Sequence, residues 1–252
     1  MFWAFGNYAA GKGQCAQVYR RLLRREQKTY PFPLPSLKTS SDSSRDDNYF
    51  TPFAGWDVQI CPCACCTLHT PCDASSKGVW FKNFLKNKDP GKDYFFSVDR
   101  KFNTKKVIRP REHPLLQKFK MYDSQKKLWC TFSPDQVDLN FKNPDVLIDF
   151  VKIMMTFISK GISIFRLDAV GYLWKETNTE CVNLPQTHQI IKLFRLILER
   201  LNTRSWIVTE TNLPGKQNLS YFGNNDEAHW IYNFSLPPLV AYTLLFEDSS
   251  QI

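Results

Sequence analysis

The sequence predicts an α/β fold whose parallel strands carry carboxylates at their C-terminal ends. The first apolar run, ISIFRLDAVGYLWKE (162–176), reads as a strand that ends on Asp168. The second, SWIVTETN (205–212), reads as a strand that ends on Glu210. Between them, residues 186–201 place apolar side chains at helical spacing. A strand, a helix and a second strand form a βαβ unit, so the strands are parallel and the crossover is right-handed.

Two further elements follow from the same patterns. Residues 144–159, PDVLIDFVKIMMTFIS, have the apolar periodicity of a helix, with Pro144 at its first position and Gly161 after its end. Asp149 and Lys152 within it argue against a membrane span. A third strand is predicted near residues 229–234.

The two strand-end carboxylates are candidate catalytic groups. Parallel strands bring Asp168 and Glu210 to one edge of the sheet, where α/β barrels place their chemistry. Retaining glycosyl transfer needs such a pair, one carboxylate to attack the anomeric carbon and one to protonate the leaving oxygen. The alternative is that each residue is a helix cap or a solvated loop residue, and the pattern alone leaves both open.

Several motifs resemble one known family. Arg166-Leu167-Asp168-Ala169 on one strand, with Glu210 on the next, resembles the glycoside hydrolase family related to α-amylase. The longer runs RLDAVGYLWKETNTECVNLPQTH, TETNLPGKQNLSYFG and YNFSLPPLV are similar to its sucrose phosphorylase and glucosylglycerate phosphorylase branch. VIRPREHPLL (107–116) and WCTFSPDQVDLNFKNPDVL (129–147) resemble the same branch in the same order. The resemblance covers residues 74–252.

The resemblance implies a role for each matching residue. Asp168 matches the nucleophile, Glu210 the general acid/base, and Arg166 the substrate-binding arginine that keeps the nucleophile ionised. An arginine beside a carboxylate favours its charged form, which a nucleophile needs, whereas an acid must keep its proton near neutral pH. Asp138-Leu139-Asn140 resembles the short segment before the fourth barrel strand, or is an Asx-rich turn that leads into a helix.

The family fold implies a partial (β/α)8 (TIM) barrel with an irregular subdomain inserted after the third strand. Residues 74–135 are then the insert, and residues 136–252 are about strands 4–6 of the barrel, with the catalytic motifs. Residues 1–73 are rich in Pro, Ser and charge, lack the apolar runs of barrel strands, and are predicted to be an aberrant, disordered segment. We interpret them as a damaged or frame-shifted gene start, and the chain as a truncated fragment.

Two elements of the family's active site are missing from the sequence. The family's third carboxylate, the transition-state stabiliser, follows a His in a His-Asp pair, and no such pair exists here. The family's Asn-His pair after the third strand is also absent, and the corresponding stretch reads TPCDASSKGVWF. The resemblance therefore predicts the site of an enzyme whose activity in this chain is in doubt.

Eight cysteines raise the question of a metal or of disulfides. Five of them, with His69 between, fall within a short stretch: Cys61, Cys63, Cys65, Cys66 and Cys72. Zinc uses such ligands, but paired C-x-x-C spacing is lacking, so no metal is predicted. No signal peptide precedes the cluster, which argues against disulfides. Cys15, Cys130 and Cys181 are predicted to be free thiols.

The net charge of +9 raises nucleic acid as a partner, but no nucleic-acid-binding motif accompanies it. The resemblance instead predicts a cytoplasmic α-glucosyl-transferring phosphorylase of carbohydrate metabolism. Its substrates would be a small sugar and phosphate, with no cofactor, no nucleic acid and no membrane, in an unknown oligomeric state. The alternatives are an inactive remnant of this enzyme, an α-glucosidase or amylase-type hydrolase, and a metal- or nucleic-acid-binding protein built on the Cys-rich basic start.

Overall fold

The computed structural model describes the backbone of residues 58–60, 65–68 and 73–75, and all atoms of 76–122 and 124–250. The strands in these ranges are β1 (Val58–Ile60), β2 (Cys65–Leu68), β3 (Asp73–Ser75), β4 (Leu116–Lys120), β5 (Gln125–Trp129), β6 (Gln136–Asp138), β7 (Ile164–Leu167), β8 (Trp206–Thr209) and β9 (Trp230–Ile231). The helices are α1 (Val79–Leu85), α2 (Pro144–Ile158), α3 (Pro185–Arg200), α4 (Gly215–Leu219) and α5 (Leu236–Phe246).

The main sheet has the order β1-β2-β7-β8-β9. Strands β2, β7, β8 and β9 run parallel, and β1 pairs antiparallel with β2. The three strands predicted from the apolar runs are therefore present, each shorter than its run. Leu167 is paired with Thr209 and Thr209 with Ile231, so the residues that follow β7, β8 and β9 lie side by side at one edge.

Helices α2 and α3 share one apolar core with the sheet. Phe165 and Leu167 of β7 and Ile207 of β8 are buried in it together with Phe150 of α2 and Phe194 of α3. These side chains alternate along the strands, so Arg166 and Val208 face the opposite side. The two helices thus cover one face of the sheet and leave the other to the candidate site.

Local sequence explains where α2 begins and ends. Asn143 is the N-cap, its side chain accepts a hydrogen bond from Asp145 N, and Pro144 occupies the first turn. After the helix, Gly161 has a φ of +88°, a left-handed conformation that glycine adopts without a steric penalty. The predicted roles of Pro144 and Gly161 are confirmed.

The predicted insert, residues 74–135, lies between β2 and β7. It contains α1 and the antiparallel hairpin β4–β5, and β6 directly after it pairs with β3. Trp129 of the hairpin packs edge-on against Phe96 and Phe102. The segment therefore has an aromatic cluster of its own beside the main core.

Two short strands are described within residues 1–73, the segment that was predicted to be disordered. Strands β1 and β2 lie in this range, and β2 pairs in parallel with β7. Strand β2 (CCTL) completes the backbone hydrogen bonding of an edge that β7 would otherwise leave open, and β1 (VQI) pairs in turn with β2. The other residues of 1–72 lie outside the described ranges. Within those ranges, no helix combines the length and the hydrophobicity that a bilayer crossing requires.

Candidate active site

The structure brings the two predicted catalytic carboxylates together at one edge of the sheet. Asp168 follows β7 and Glu210 follows β8, immediately after the paired residues Leu167 and Thr209. Glu210 N donates a hydrogen bond of 2.9 Å to Leu167 O, which continues the ladder one residue beyond the strands. The register of two parallel strands, rather than a loop, therefore positions both side chains.

Arg166 connects the two carboxylates. Its Nη2 lies 3.0 Å from Asp168 Oδ1 and 2.5 Å from Glu210 Oε2. Arg166 and Asp168 are two residues apart on one strand and so point to the same side of the sheet. The three side chains are each about 20% exposed, which leaves them accessible but poorly screened by water. The predicted site residues thus form one charged cluster.

The electrostatics of Glu210 suit a proton donor. Burial is the largest of the causes that raise the pKa of Glu210 to about 7. The hydrogen bond to Asp168 and the negative charge of that residue act in the same direction, while Arg166 opposes the rise. A group with such a pKa is partly protonated near neutral pH. It can give a proton and then take one back, which is what a general acid/base requires.

A third strand contributes an aromatic residue that the sequence patterns did not single out. Tyr232 follows β9, and its N donates a 3.0 Å hydrogen bond to Thr209 O. The guanidinium carbon of Arg166 lies 5.2 Å from the centre of the Tyr232 ring, a cation–π distance. The motif YNFSLPPLV contains this residue, but only the position directly after a third parallel strand identifies it.

The carboxylates open into a cleft of about 560 Å³. The residues that line it with Asp168 and Glu210 come from five places: the 107–113 loop, the β5–β6 segment, and the segments that follow β7, β8 and β9. They include Pro110, Arg111, Phe132, Gln136, Ala169 and Tyr172, and Gly171, Thr211, Asn212, Leu213 and Phe234 complete the lining. Arg111 supplies a positive charge to this lining.

Asp138 and Asn140 have different roles from one another. Asp138 is completely buried and forms an ion pair with Lys175. The Asn140 side chain accepts a hydrogen bond from Lys142 N, and Asn140 O accepts one from Asn143 N at the start of α2. The expected Asx turn leading into a helix is therefore present at Asn140, while Asp138 lies in the buried interior.

The described side chains include no group of three His, Cys, Asp or Glu residues arranged to hold a metal ion. Cys130 and Cys181 are buried and form no disulfide. Of the cysteine cluster, only the backbone of Cys65 and Cys66 is described, in β2, so its metal-binding capacity lies outside the described side chains. His229 accepts a hydrogen bond from Ile207 N at the start of β9 and takes no part in the cleft.

Comparisons with known proteins agree with the motifs. The family model described as "Alpha amylase, catalytic domain" matches residues 71–244. The glucosylglycerate phosphorylase of Escherichia coli (strain K12) is 47% identical over 172 residues, which are 68% of this chain and 31% of that protein. The glucosylglycerate phosphorylase of Spirochaeta thermophila is 45% identical over 178 residues, 71% of this chain and 30% of that protein. The chain thus spans about 30% of the length of these relatives.

A solved structure supports the fold. The sucrose 6F-phosphate phosphorylase from Thermoanaerobacter thermosaccharolyticum superposes with a TM-score of 0.61 at 24% identity, over 71% of this chain and 39% of that one. This likeness extends to architecture alone. The parallel strands β2, β7, β8 and β9 therefore correspond to part of a TIM barrel. The resemblance stated from the motifs, to the phosphorylase branch, is confirmed.

Proposed function

Because this chain belongs to the α-amylase catalytic-domain family, a family of enzymes, we propose that its cleft is the glucosyl-transfer site of a sugar phosphorylase. The substrates would be glucosylglycerate or sucrose, together with phosphate. The observation that carries the proposal is the cluster of Asp168, Arg166 and Glu210 at the ends of adjacent parallel strands. The relatives at 45–47% identity support this choice of substrate class.

In the first step, an Asp168 oxygen attacks the anomeric carbon of the bound glucoside. The bond from that carbon to the leaving oxygen breaks, and Glu210 gives its proton to this oxygen. Arg166 Nη2 lies 3.0 Å from the attacking carboxylate and offsets its charge, and the pKa of about 7 lets Glu210 hold a proton near neutral pH. The product is a β-glucosyl ester on Asp168 and a free acceptor.

In the second step, a phosphate oxygen attacks the same carbon from the face that the acceptor left. The glucosyl–Asp168 bond breaks, and Glu210, now a carboxylate, takes the proton of the phosphate. Two inversions give retention, so the product is α-glucose 1-phosphate. Arg111 lines the cleft and would offset the negative charge of the phosphate. We assign residues 74–135, which include Arg111, to the subdomain that shapes the acceptor side.

A second candidate function is hydrolysis, since the same two carboxylates serve α-glucosidases, in which water replaces phosphate in the second step. The two functions share the covalent intermediate and differ only in what removes the glucose. A cationic cleft residue such as Arg111 favours phosphate as the attacking group. The third candidate, an inactive remnant, would form no intermediate.

Covalent labelling separates these three candidates. The purified chain is incubated with α-glucosyl fluoride, whose fluoride leaves without needing a proton from Glu210, and is then digested for mass spectrometry. We expect one hexosyl group on the peptide that contains Asp168. Phosphate added to the labelled protein should then release α-glucose 1-phosphate, whereas a hydrolase would release free glucose.

Two variants control this experiment. Asp168→Asn should take up no label, because its amide is a poor nucleophile. Glu210→Gln should take up label and retain it longer, since it has no base for the second step. Label on another residue, or a folded wild type without any label, would contradict the assignment of Asp168.

A further inference from the structure

A buried ion pair lies beside the active-site turn. Lys175 and Asp138 side chains are 1% and 0% exposed, and Lys175 Nζ lies 2.5 Å from Asp138 Oδ2. A buried lysine or aspartate is rare unless each finds a partner, because burial removes the hydration of its charge. Water therefore cannot stabilise these two charges, and the groups that surround them must do so.

Both ends of the pair are further tied to the backbone. Asp138 Oδ1 accepts a 2.8 Å hydrogen bond from Thr131 N, and Oδ2 accepts a 2.7 Å bond from the Thr131 hydroxyl. Lys175 Nζ also donates to Tyr172 O. The pair thus joins β6, and Thr131 just before it, to the end of the turn that follows Asp168.

This turn has a backbone that needs support. Ala169, directly after Asp168, has a φ of +47°, the left-handed region that residues with a Cβ adopt at a cost. Residues 170–172 continue as a 3-10 turn, and its last carbonyl is the one that Lys175 binds. The ammonium therefore fastens the far end of a strained segment that begins at the nucleophile.

The segments that the pair joins also form two walls of the cleft. Tyr172 lies on the turn, and Phe132 and Gln136 lie on the segment around β6. The rings of Phe132 and Tyr172 meet edge-on with centres 5.4 Å apart. Any movement of the turn relative to β6 would change the position of these walls with respect to Asp168.

We propose that Lys175 and Asp138 are positioning residues that hold the Asp168 turn against the β6 segment in the geometry needed for glucosyl transfer. The inference rests on the proposed function for what the geometry serves. It goes further because it assigns a role to two residues that do not line the cleft. A pair that served only stability would leave the chemistry at Asp168 unchanged once folding was restored.

The test uses the full chain with Lys175→Met and Asp138→Asn combined. Removing both charges leaves no unpaired buried ion, and a buried pair replaced in this way often keeps or improves stability. The amide introduced by Asp138→Asn still offers an oxygen to Thr131. The matched control is Lys142→Met with Glu176→Gln, an exposed pair 3.3 Å apart on neighbouring segments, which should contribute little.

Two readouts are followed in each protein. The first is hydrogen exchange of the amides of Tyr172 and Leu173, which bond to Ala169 O and Val170 O. The second is the rate at which α-glucosyl fluoride labels Asp168. In the double variant we expect exchange at these amides to rise about tenfold. Labelling should fall by about tenfold or more, since small misplacements of reacting groups are costly. The control should match wild type.

Wild-type exchange or wild-type labelling in a folded double variant would overturn the inference. A wild type that takes up no label would contradict the proposed function instead, and the exchange of the turn then decides the positioning inference by itself. If the double variant does not fold, hydrogen exchange measured on the wild-type protein tests the inference. The Tyr172 and Leu173 amides should then exchange only through global unfolding, and faster local exchange overturns the inference.

Discussion

Arg166 Nη2 is shared between two carboxylates whose proposed roles require opposite protonation states. A nucleophile must be ionised, whereas an acid must keep its proton. The arginine is closer to Glu210 than to Asp168, yet the pKa of Glu210 is still raised to about 7, because burial and the Asp168 charge outweigh the arginine. At the scale of single residues, the protonation of Glu210 therefore depends on the balance between its burial, the negative charge of Asp168 and the positive charge of Arg166.

Replacing Arg166 by Met should raise the pKa of Glu210 above its wild-type value of about 7, since the arginine is the opposing positive charge. Arg166→Lys keeps a positive charge and should give a smaller rise. Carbon NMR of labelled glutamate carboxyls, followed against pH, measures this directly. A Glu210 pKa that falls in Arg166→Met would contradict the proposed charge balance.

Glu210 should also make stability depend on pH. Because its folded pKa is raised from 4.5 to about 7, the folded state binds the proton more tightly, and stability is lost as pH rises through this window. After discounting for the solvent that still reaches the carboxyl, the loss should be up to about 2 kcal/mol. Urea unfolding at pH 4.5 and at about pH 8 measures it.

The Glu210→Gln variant isolates this contribution, since Gln does not titrate. Other groups titrate in both proteins and cancel in the comparison. Wild type should therefore lose more stability than the variant between the two pH values. Equal losses would mean that the carboxyl is not protonated preferentially in the folded state.

At the scale of elements, the site depends on α2 as much as on the strands. The helix ends just before β7 and packs Phe150 into the core shared with Phe165, so its position determines where Asp168 emerges. Its N-terminus is secured by Asn143, whose side chain accepts from Asp145 N and donates to Asp93 O across to the 76–135 segment. One side chain thus caps the helix and anchors a loop.

Asn143→Ala should destabilise the protein by about 1–2 kcal/mol, because the cap bond to Asp145 N is lost. Asn143→Asp keeps that acceptor and should retain most of the stability, losing only the bond to Asp93 O. Urea midpoints of the three proteins give the comparison. If alanine and aspartate cost the same, the capping bond contributes little and the loop contact dominates.

At the scale of the whole molecule, two features of residues 1–252 affect what a protein of this length can do. The His-Asp pair that carries the family's third carboxylate is absent from the sequence. Helix α5 has no buried residue, and Leu244, Leu245 and Phe246 at its end are 66–77% exposed. An apolar surface of this kind promotes association or aggregation in a soluble protein.

We expect a purified protein made of residues 1–252 alone to release no measurable α-glucose 1-phosphate from glucosylglycerate or sucrose with phosphate. Losing one preorganised charge costs roughly 3–4 kcal/mol of transition-state stabilisation, or about a hundred- to a thousandfold in rate. The labelling by α-glucosyl fluoride remains observable at this lower rate, because it needs only one reaction per protein molecule over several hours. Turnover that disappears in both Asp168→Asn and Glu210→Gln would show that another group supplies the missing charge.

The sequence by itself determined the βαβ unit, its two strand-end carboxylates and the family. Apolar periodicity, Pro144 and Gly161 are local signals, and Asp168 and Glu210 need only a parallel register to meet. Strand β2 escaped prediction because a short run such as CCTL becomes a strand only when it finds an open edge, here that of β7. Lys175 and Tyr232 escaped for the same reason. An ion pair with Asp138 and a ring over Arg166 join residues far apart in the chain, and only tertiary packing decides which of them meet.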